Sequence, residues 1–274
     1  MSRTPHLGGL DSIATAGQGG GGTAWEISRL LNSVSVSSQE SSPSAIVLSP
    51  DGTHLFIAGA VSDTVYAYTL STPWDLSTAS YSGQSLSISS QAGAAVAMAA
   101  SADGTKLYVL DQNSVTIYQY TLPTPWVLTG ASYASKSFAP GSGPRGIALS
   151  ADGAKLFVLG VSSPATVRRY SLSTAWDIST ASADSGNTKN VAAEGVGYGL
   201  FVNPTGTRLF STDNTRRRIL QYNLSAALDL TTAAVAGSLG TGDADSPRDM
   251  HFKPDGTSLF VMDLTSDTVI QIRI

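Results

Sequence analysis

Cysteine is absent from the 274-residue sequence, so no disulfide framework, thiolate nucleophile or thiolate metal site can be drawn from it. Charge is scarce as well: 13% of residues are Asp, Glu, Lys or Arg, with a formal balance of −4 and a pI near 5.2. That balance gives no electrostatic footprint for nucleic acid, whose binders show a basic patch or stripe, with Arg216-Arg217-Arg218 the one exception. Glutamate occurs only as Glu26, Glu40 and Glu194, and histidine only as His6, His54 and His251. Neither the paired carboxylates of a glycosidase nor a zinc-binding His triad is visible in that distribution. No run approaches the roughly 18 apolar residues of a membrane-spanning helix, and "MSRTPHLGGLDSIATAGQGGGGTA" lacks the apolar core of a secretory leader. "GQGGGG" has no following Lys-Ser/Thr and precedes strand-like sequence, so it reads as a tether and not as a phosphate loop.

What fills the chain is Ser, Thr, Ala and Gly around short apolar runs, and it repeats. "SPDGTHLF" with Asp51 returns as "SADGTKLY" with Asp103, "SADGAKLF" with Asp152, "NPTGTRLF" with Thr205 and "KPDGTSLF" with Asp255, at steps of 52, 49, 53 and 50 residues. A fixed period near 50 signals a repeat architecture. Each Asp-Gly pair has turn chemistry: Asp bonds its own downstream backbone and Gly takes the positive φ that a Cβ penalises. Around each turn lie four strand-like segments, in the first copy "AIVLS", "HLFIAGA", "TVYAYTL" and "SLSIS". Four strands per unit make a propeller blade.

The phrase "YTLSTPWDLSTASY" from Tyr68 recurs from Tyr120, Tyr170 and Tyr222, and a fifth copy is missing after Ile272. Its counterpart is "AWEISRLLNSVSVSSQ" near the N-terminus, where "SVSVSSQ" matches "SLSISSQ" at Ser85 to Gln91. The expected fold is therefore all-β: a single five-bladed propeller over residues 24–274, closed by an N-terminal strand that completes the last blade. A Gly-rich arm over residues 1–23 precedes it as a probable attachment segment. Ala45, Ala97, Gly146 and Gly199 occupy matched positions on the innermost strands, with Asp249 the exception, as suits a narrow ring. Trp25, Trp74, Trp126 and Trp176 recur once per repeat, and Leu228 replaces the tryptophan in the fourth copy, so packing of one blade on the next is expected of them.

Loops on the face opposite the Asp-Gly turns differ most between copies, and variable loops on a rigid scaffold are where recognition is usually placed. They carry Arg145, Glu194, Tyr198, Arg216, Arg217, Asp243, Asp245 and Arg248, the candidate ligand-binding residues. Tyr198 would offer a stacking face to a cell-surface glycan, and the charged groups would offer hydrogen bonds. "GTGDADSPRDMHF" gathers Asp243, Asp245 and Asp249 beside Arg248, where a carboxylate or calcium site could hide, but it lacks a full calcium-loop signature. No catalytic residue and no metal ligand is assigned.

The repeat unit "SPDGTxLFI…SDTVYAYTLSTPWDLSTASY…SISSQ" resembles propeller repeats of tailed-phage virion proteins and of related bacterial surface proteins, over about residues 24 to 274. The resemblance implies a non-enzymatic fibre, spike or decoration protein of a virion, assembled in the host cytoplasm and exposed outside it. Its implied partners are other virion subunits, through residues 1–23, and a host glycan, with no cofactor, nucleic acid or membrane insertion. A bacterial surface or lectin-like adhesion propeller is the alternative, and a propeller hydrolase the third.

Overall fold

The computed structural model describes residues 28–141, 143–161, 165–191, 197–242 and 244–274. The expected arm, Trp25, Glu26, Glu194 and Asp243 lie outside them.

Each repeat begins with the hairpin made by its Asp-Gly pair. The Asp51 carboxylate accepts from the Thr53 amide at 3.0 Å, and Gly52 sits at φ 73°. The pattern returns at Asp103, Asp152 and Asp255. In the repeat that lacks the Asp, the Thr205 hydroxyl meets the Thr207 hydroxyl at 2.8 Å, and Asn203 Oδ1 accepts from the Arg208 amide as Ser49 Oγ accepts from the His54 amide.

Twenty strands form five antiparallel sheets of four. The first blade is β2 (Pro43–Leu48), β3 (His54–Gly59), β4 (Thr64–Leu70) and β5 (Ala79–Ser87); the second is β6 (Ala95–Ala100), β7 (Lys106–Asp111), β8 (Thr116–Thr121) and β9 (Ser132–Phe138). The third is β10 (Pro144–Leu149), β11 (Lys155–Gly160), β12 (Thr166–Leu172) and β13 (Ala181–Asn190). The fourth is β14 (Leu200–Val202), β15 (Arg208–Asp213), β16 (Arg218–Leu224) and β17 (Ala233–Gly240). The fifth takes β18 (Pro247–Phe252), β19 (Ser258–Asp263) and β20 (Thr268–Arg273) from the C-terminal repeat and β1 (Ser28–Ser35) as its outer strand. The predicted closure is thus present, with Val34 opposite Val269 and Leu30 opposite Ile272.

There is no single core. Five apolar layers lie between neighbouring blades, one per joint: Phe56 with Tyr120, Tyr108 with Leu156, Phe157 with Leu209, Phe210 with Leu259, and Phe260 with Leu55 mark them in turn. A repeated side-chain staple crosses four of these joints near the disc edge. Asn32 Nδ2 donates to Asp75 (2.9 Å), Gln84 Oε1 accepts from the Leu128 amide (3.0 Å), Lys136 Nζ donates to Asp177 (2.5 Å) and Asn187 Nδ2 donates to Asp229 (2.8 Å).

The tryptophans do cross between blades, Trp126 against Phe56 and Trp74 against Phe260, at ring-centre distances of 5.7 and 5.9 Å. Each also covers the turn glycine of its own blade, a second role not foreseen from the sequence. A Cβ on Gly153 would stand 2.2 Å from the Trp176 ring. Gly153→Ala is therefore expected to cost roughly 3 kcal/mol, overpacking added to a left-handed φ of 68°. Gly186→Ala in the same blade, with φ 75° but open space around it, should lose only about 1 kcal/mol. Urea unfolding of both variants measures the difference; equal losses would remove the tryptophan from the account.

Candidate functional site

The inner strands surround an axial cavity of about 340 Å³. Its wall is apolar: Met98, Ile147, Leu200, Phe201, Met250 and Phe252 from the strands, with Trp126, Trp176, Pro50, Pro204 and Pro254 toward the rim. These rim residues belong to the Asp-Gly turns and tryptophan loops, so the cavity opens on that face, opposite the variable loops. Among the residues that line it, Asp249 and His251 are the titratable ones, and neither Lys nor Arg is present.

Asp249 and His251 stand two residues apart on β18, so both side chains leave the same face of the strand. The Asp249 carboxylate accepts from the Ile46 amide of the first blade at 3.0 Å and from the Met250 amide at 2.9 Å. Burial pushes this carboxyl up to about 7, against the pull of those two donors. His251 lies nearly parallel to Trp74 at 6.5 Å and meets Phe201 edge-on at 5.6 Å. Burial pushes its imidazole down to about 4, so the ring is neutral at physiological pH. A carboxyl near half-ionised at pH 7 beside a neutral imidazole, inside an apolar chamber, is an arrangement able to move protons.

The channel is shut on the side of the variable loops. A Cβ at Gly146 would lie 2.5 Å from the Tyr198 carbonyl oxygen, and one at Gly199 would lie 2.8 Å from Asp249 Cα. Glycine at these two positions lets the inner strands approach, and Asp249 fills the remaining gap.

The eight expected ligand residues divide into groups. Arg145 and Arg248 flank Tyr198, their guanidinium carbons 5.5 and 4.1 Å from its ring centre. Arg216 and Arg218 share Asp213 at 3.3 and 3.0 Å, and Arg217 pairs with Asp245 at 2.6 Å. Glu194 and Asp243 fall outside the described residues. The suspected acidic cluster is dispersed: Asp249 is buried in the throat while Asp245 is exposed on the hairpin side. Glu40 is fully buried and accepts from the Ser42 and Ser62 amides, in space left by Gly59. Sequence reasoning singled out Asp249 as the odd residue of the inner ring but missed His251 and the cavity wall, which only the meeting of five blades creates.

Among solved structures, the chain is similar to hydrazine synthase from Kuenenia stuttgartiensis (16% identity over 86% of this chain and 96% of that one, TM-score 0.50). It is also similar to provisionally assigned 6-phosphogluconolactonases from Bacteroides fragilis (14% identity, 85% of this chain and 67% of that one, TM-score 0.52) and Bacteroides uniformis (15%, 81% and 64%, TM-score 0.52). At such identities the likeness carries the fold. A search of curated proteins finds no match. The family described as "Lactonase, 7-bladed beta-propeller" matches residues 12–274. That match overturns the expected non-enzymatic role and the virion, tail-fibre and host-attachment assignments that went with it; only the propeller part of the earlier resemblance stands. The physical reason is that the residues carrying the resemblance build turns and joints, which propellers of any function need. Matched over nearly its whole length, the chain belongs to the lactonase β-propeller family, with five blades where the family's description has seven.

Proposed function

We propose that the protein hydrolyses a lactone in the axial cavity. The observation that carries the reading is an apolar axial cavity, open on one face, that holds one buried carboxyl titrating near pH 7, in a chain of the lactonase family. Ionised Asp249 takes a proton from water as the water oxygen bonds to the lactone carbonyl carbon. The tetrahedral oxyanion then collapses, the ring C–O bond breaks, and the proton passes from the Asp249 carboxyl to the departing alkoxide. Each Asp249 oxygen already accepts one backbone N–H and keeps a further lone pair for this work. Neutral His251 adds one donor and one acceptor with which to orient water or substrate. The lining favours an uncharged ring, because a phosphorylated one would bring its charge against a wall without a cation.

Acid release in a pH-stat tests this on δ-valerolactone, glucono-δ-lactone and 6-phosphogluconolactone. The expected result is acceleration over spontaneous opening, greater for the uncharged lactones, and a loss of ~100-fold or more in Asp249→Asn, the scale of a missing general base. Spontaneous rates throughout would refute the reading. Turnover undiminished in Asp249→Asn would remove Asp249 from it.

A further inference from the structure

The residue before each narrow ring position of the inner strands is Ser44, Val96, Arg145, Tyr198 and Arg248 in successive blades. Three consecutive blades therefore set an Arg-Tyr-Arg row at the mouth of the closed side of the channel. Both cations lie against one phenol ring, 5.5 and 4.1 Å from its centre, so they are no more than about 10 Å apart. Among the described residues neither guanidinium has a carboxylate partner or makes a hydrogen bond, although each offers five N–H donors. The Arg248 Nε is buried and still unpartnered. The other loop-face arginines are different: Arg216, Arg217 and Arg218 each have a carboxylate partner, the first and last sharing Asp213 and the second pairing with Asp245. Two like charges beside each other with no carboxylate partner among the described residues, one with a buried idle donor, are stabilised when something negative joins them.

We propose that Arg145, Tyr198 and Arg248 form a binding site for an oxyanion, a phosphate or carboxylate group, on the face opposite the axial cavity. Tyr198 holds both guanidiniums against its ring, which leaves their N–H donors without a protein partner among the described residues, a fork that can meet the oxygens of an anion. The ring expected to stack on a sugar here has two arginines against it. Gly146 and Gly199 fix the spacing, since they let the third, fourth and fifth blades close up at this mouth. The site does not depend on lactone hydrolysis, which is assigned to the other face.

Titration calorimetry on the full chain at low salt tests it with inorganic phosphate, glucose 6-phosphate and gluconate as separate probes. Saturable binding of at least one is expected, and the ranking tells whether a free phosphate, a sugar phosphate or a sugar acid suits the site. Arg145→Ala and Arg248→Ala should each weaken binding about 10- to 100-fold, while Arg216→Ala leaves it unchanged. Where an alanine variant fails to fold, Arg248→Lys keeps the charge and stem but loses the fork, and binding should still fall. No saturable binding of any probe, equal losses in Arg216→Ala and Arg248→Ala, or full binding in Arg248→Lys would each overturn the proposal.

Discussion

A chain beginning at Gln39 will not give the cooperative melt of the full protein. Its fifth blade would end at β20, leaving a row of unpaired backbone groups where β1 now runs from Ser28 to Ser35. Three further losses follow. Val36, fully buried in the joint between the fifth and first blades, disappears, and so does Val34 from the same layer. The Asn32 staple to Asp75 goes as well, so the joint between the ring's ends loses its edge contact. Burial of one such aliphatic side chain contributes about 2 kcal/mol, and the strand pairing and staple add to it. The sum is expected to reach at least ~5 kcal/mol, comparable to the whole stability of many domains. Removal of residues 1–20, which leaves β1 intact, should shift the melting temperature little. Circular dichroism melts of the two truncations decide it: matching temperatures for the Gln39 chain and the full chain would mean that the clasp does not hold the ring.

The second large effect is hidden in the wild-type protein because two groups cancel. Asp249 has its pKa raised from 3.8 to about 7, so the native state holds a proton that the unfolded chain has already released. Its contribution to stability is complete below about pH 4 and is lost as pH rises toward 7. His251 has its pKa lowered from 6.5 to about 4, so here the unfolded chain is the better proton binder. That contribution is complete above about pH 6.5 and is lost as pH falls toward 4. The slopes are opposite and their windows overlap. Asp249 carries a few kcal/mol across its window and His251 somewhat less, because its ring is partly open to the cavity. The turn carboxylates of Asp103 and Asp152, held low by the hydroxyls of Ser101 and Ser150, act below this range. Urea unfolding from pH 4 to 7 should therefore be nearly flat for the wild type. Asp249→Asn should gain stability with rising pH, and His251→Gln should lose it. Parallel profiles in the two variants would show that neither group is held as described.

The blades were legible because their determinants are local. Asp51 and Gly52 make a turn from four adjacent residues, and the alternation in "TVYAYTL" reads directly as a strand with one face inward. The clasp was legible too, since "SVSVSSQ" repeats a pattern whose place in the blade was already known. The joints were legible only in part. Trp176 was expected to cross between blades, but its fit over Gly153 depends on a left-handed backbone at both residues, φ 65° and 68°. The site was least legible. Asp249 stood out against Ala45, Ala97, Gly146 and Gly199, yet its raised pKa comes from burial that outweighs the pull of the Ile46 amide, and both arise only when the far end of the chain closes against it. His251 carried no local mark at all, because Trp74 and Phe201 reach it only when the ring closes. The functional reading failed for a related reason: Ser, Thr and Asp at the turns describe how a blade is built and not what the assembled ring encloses.

The repeated staples have a consequence for how such a ring can change size. Each stapled joint is head-to-tail, one blade's outer strand gripping the loop of the next, so the unit presents a different surface on its two sides. Nothing in a joint of that kind counts its copies. A filament, a five-membered ring and a seven-membered ring could use the same grip, and what selects among them is the wedge angle at the axis. Here that angle is steep because glycine and alanine let neighbouring strands nearly touch. Larger side chains at the same positions would push the strands apart at the axis, narrow the angle between neighbouring blades and admit more members, by duplication of a unit about 50 residues long. A lineage could then move between narrow and wide rings through a handful of axial substitutions while its turns, staples and tryptophans stayed as they are.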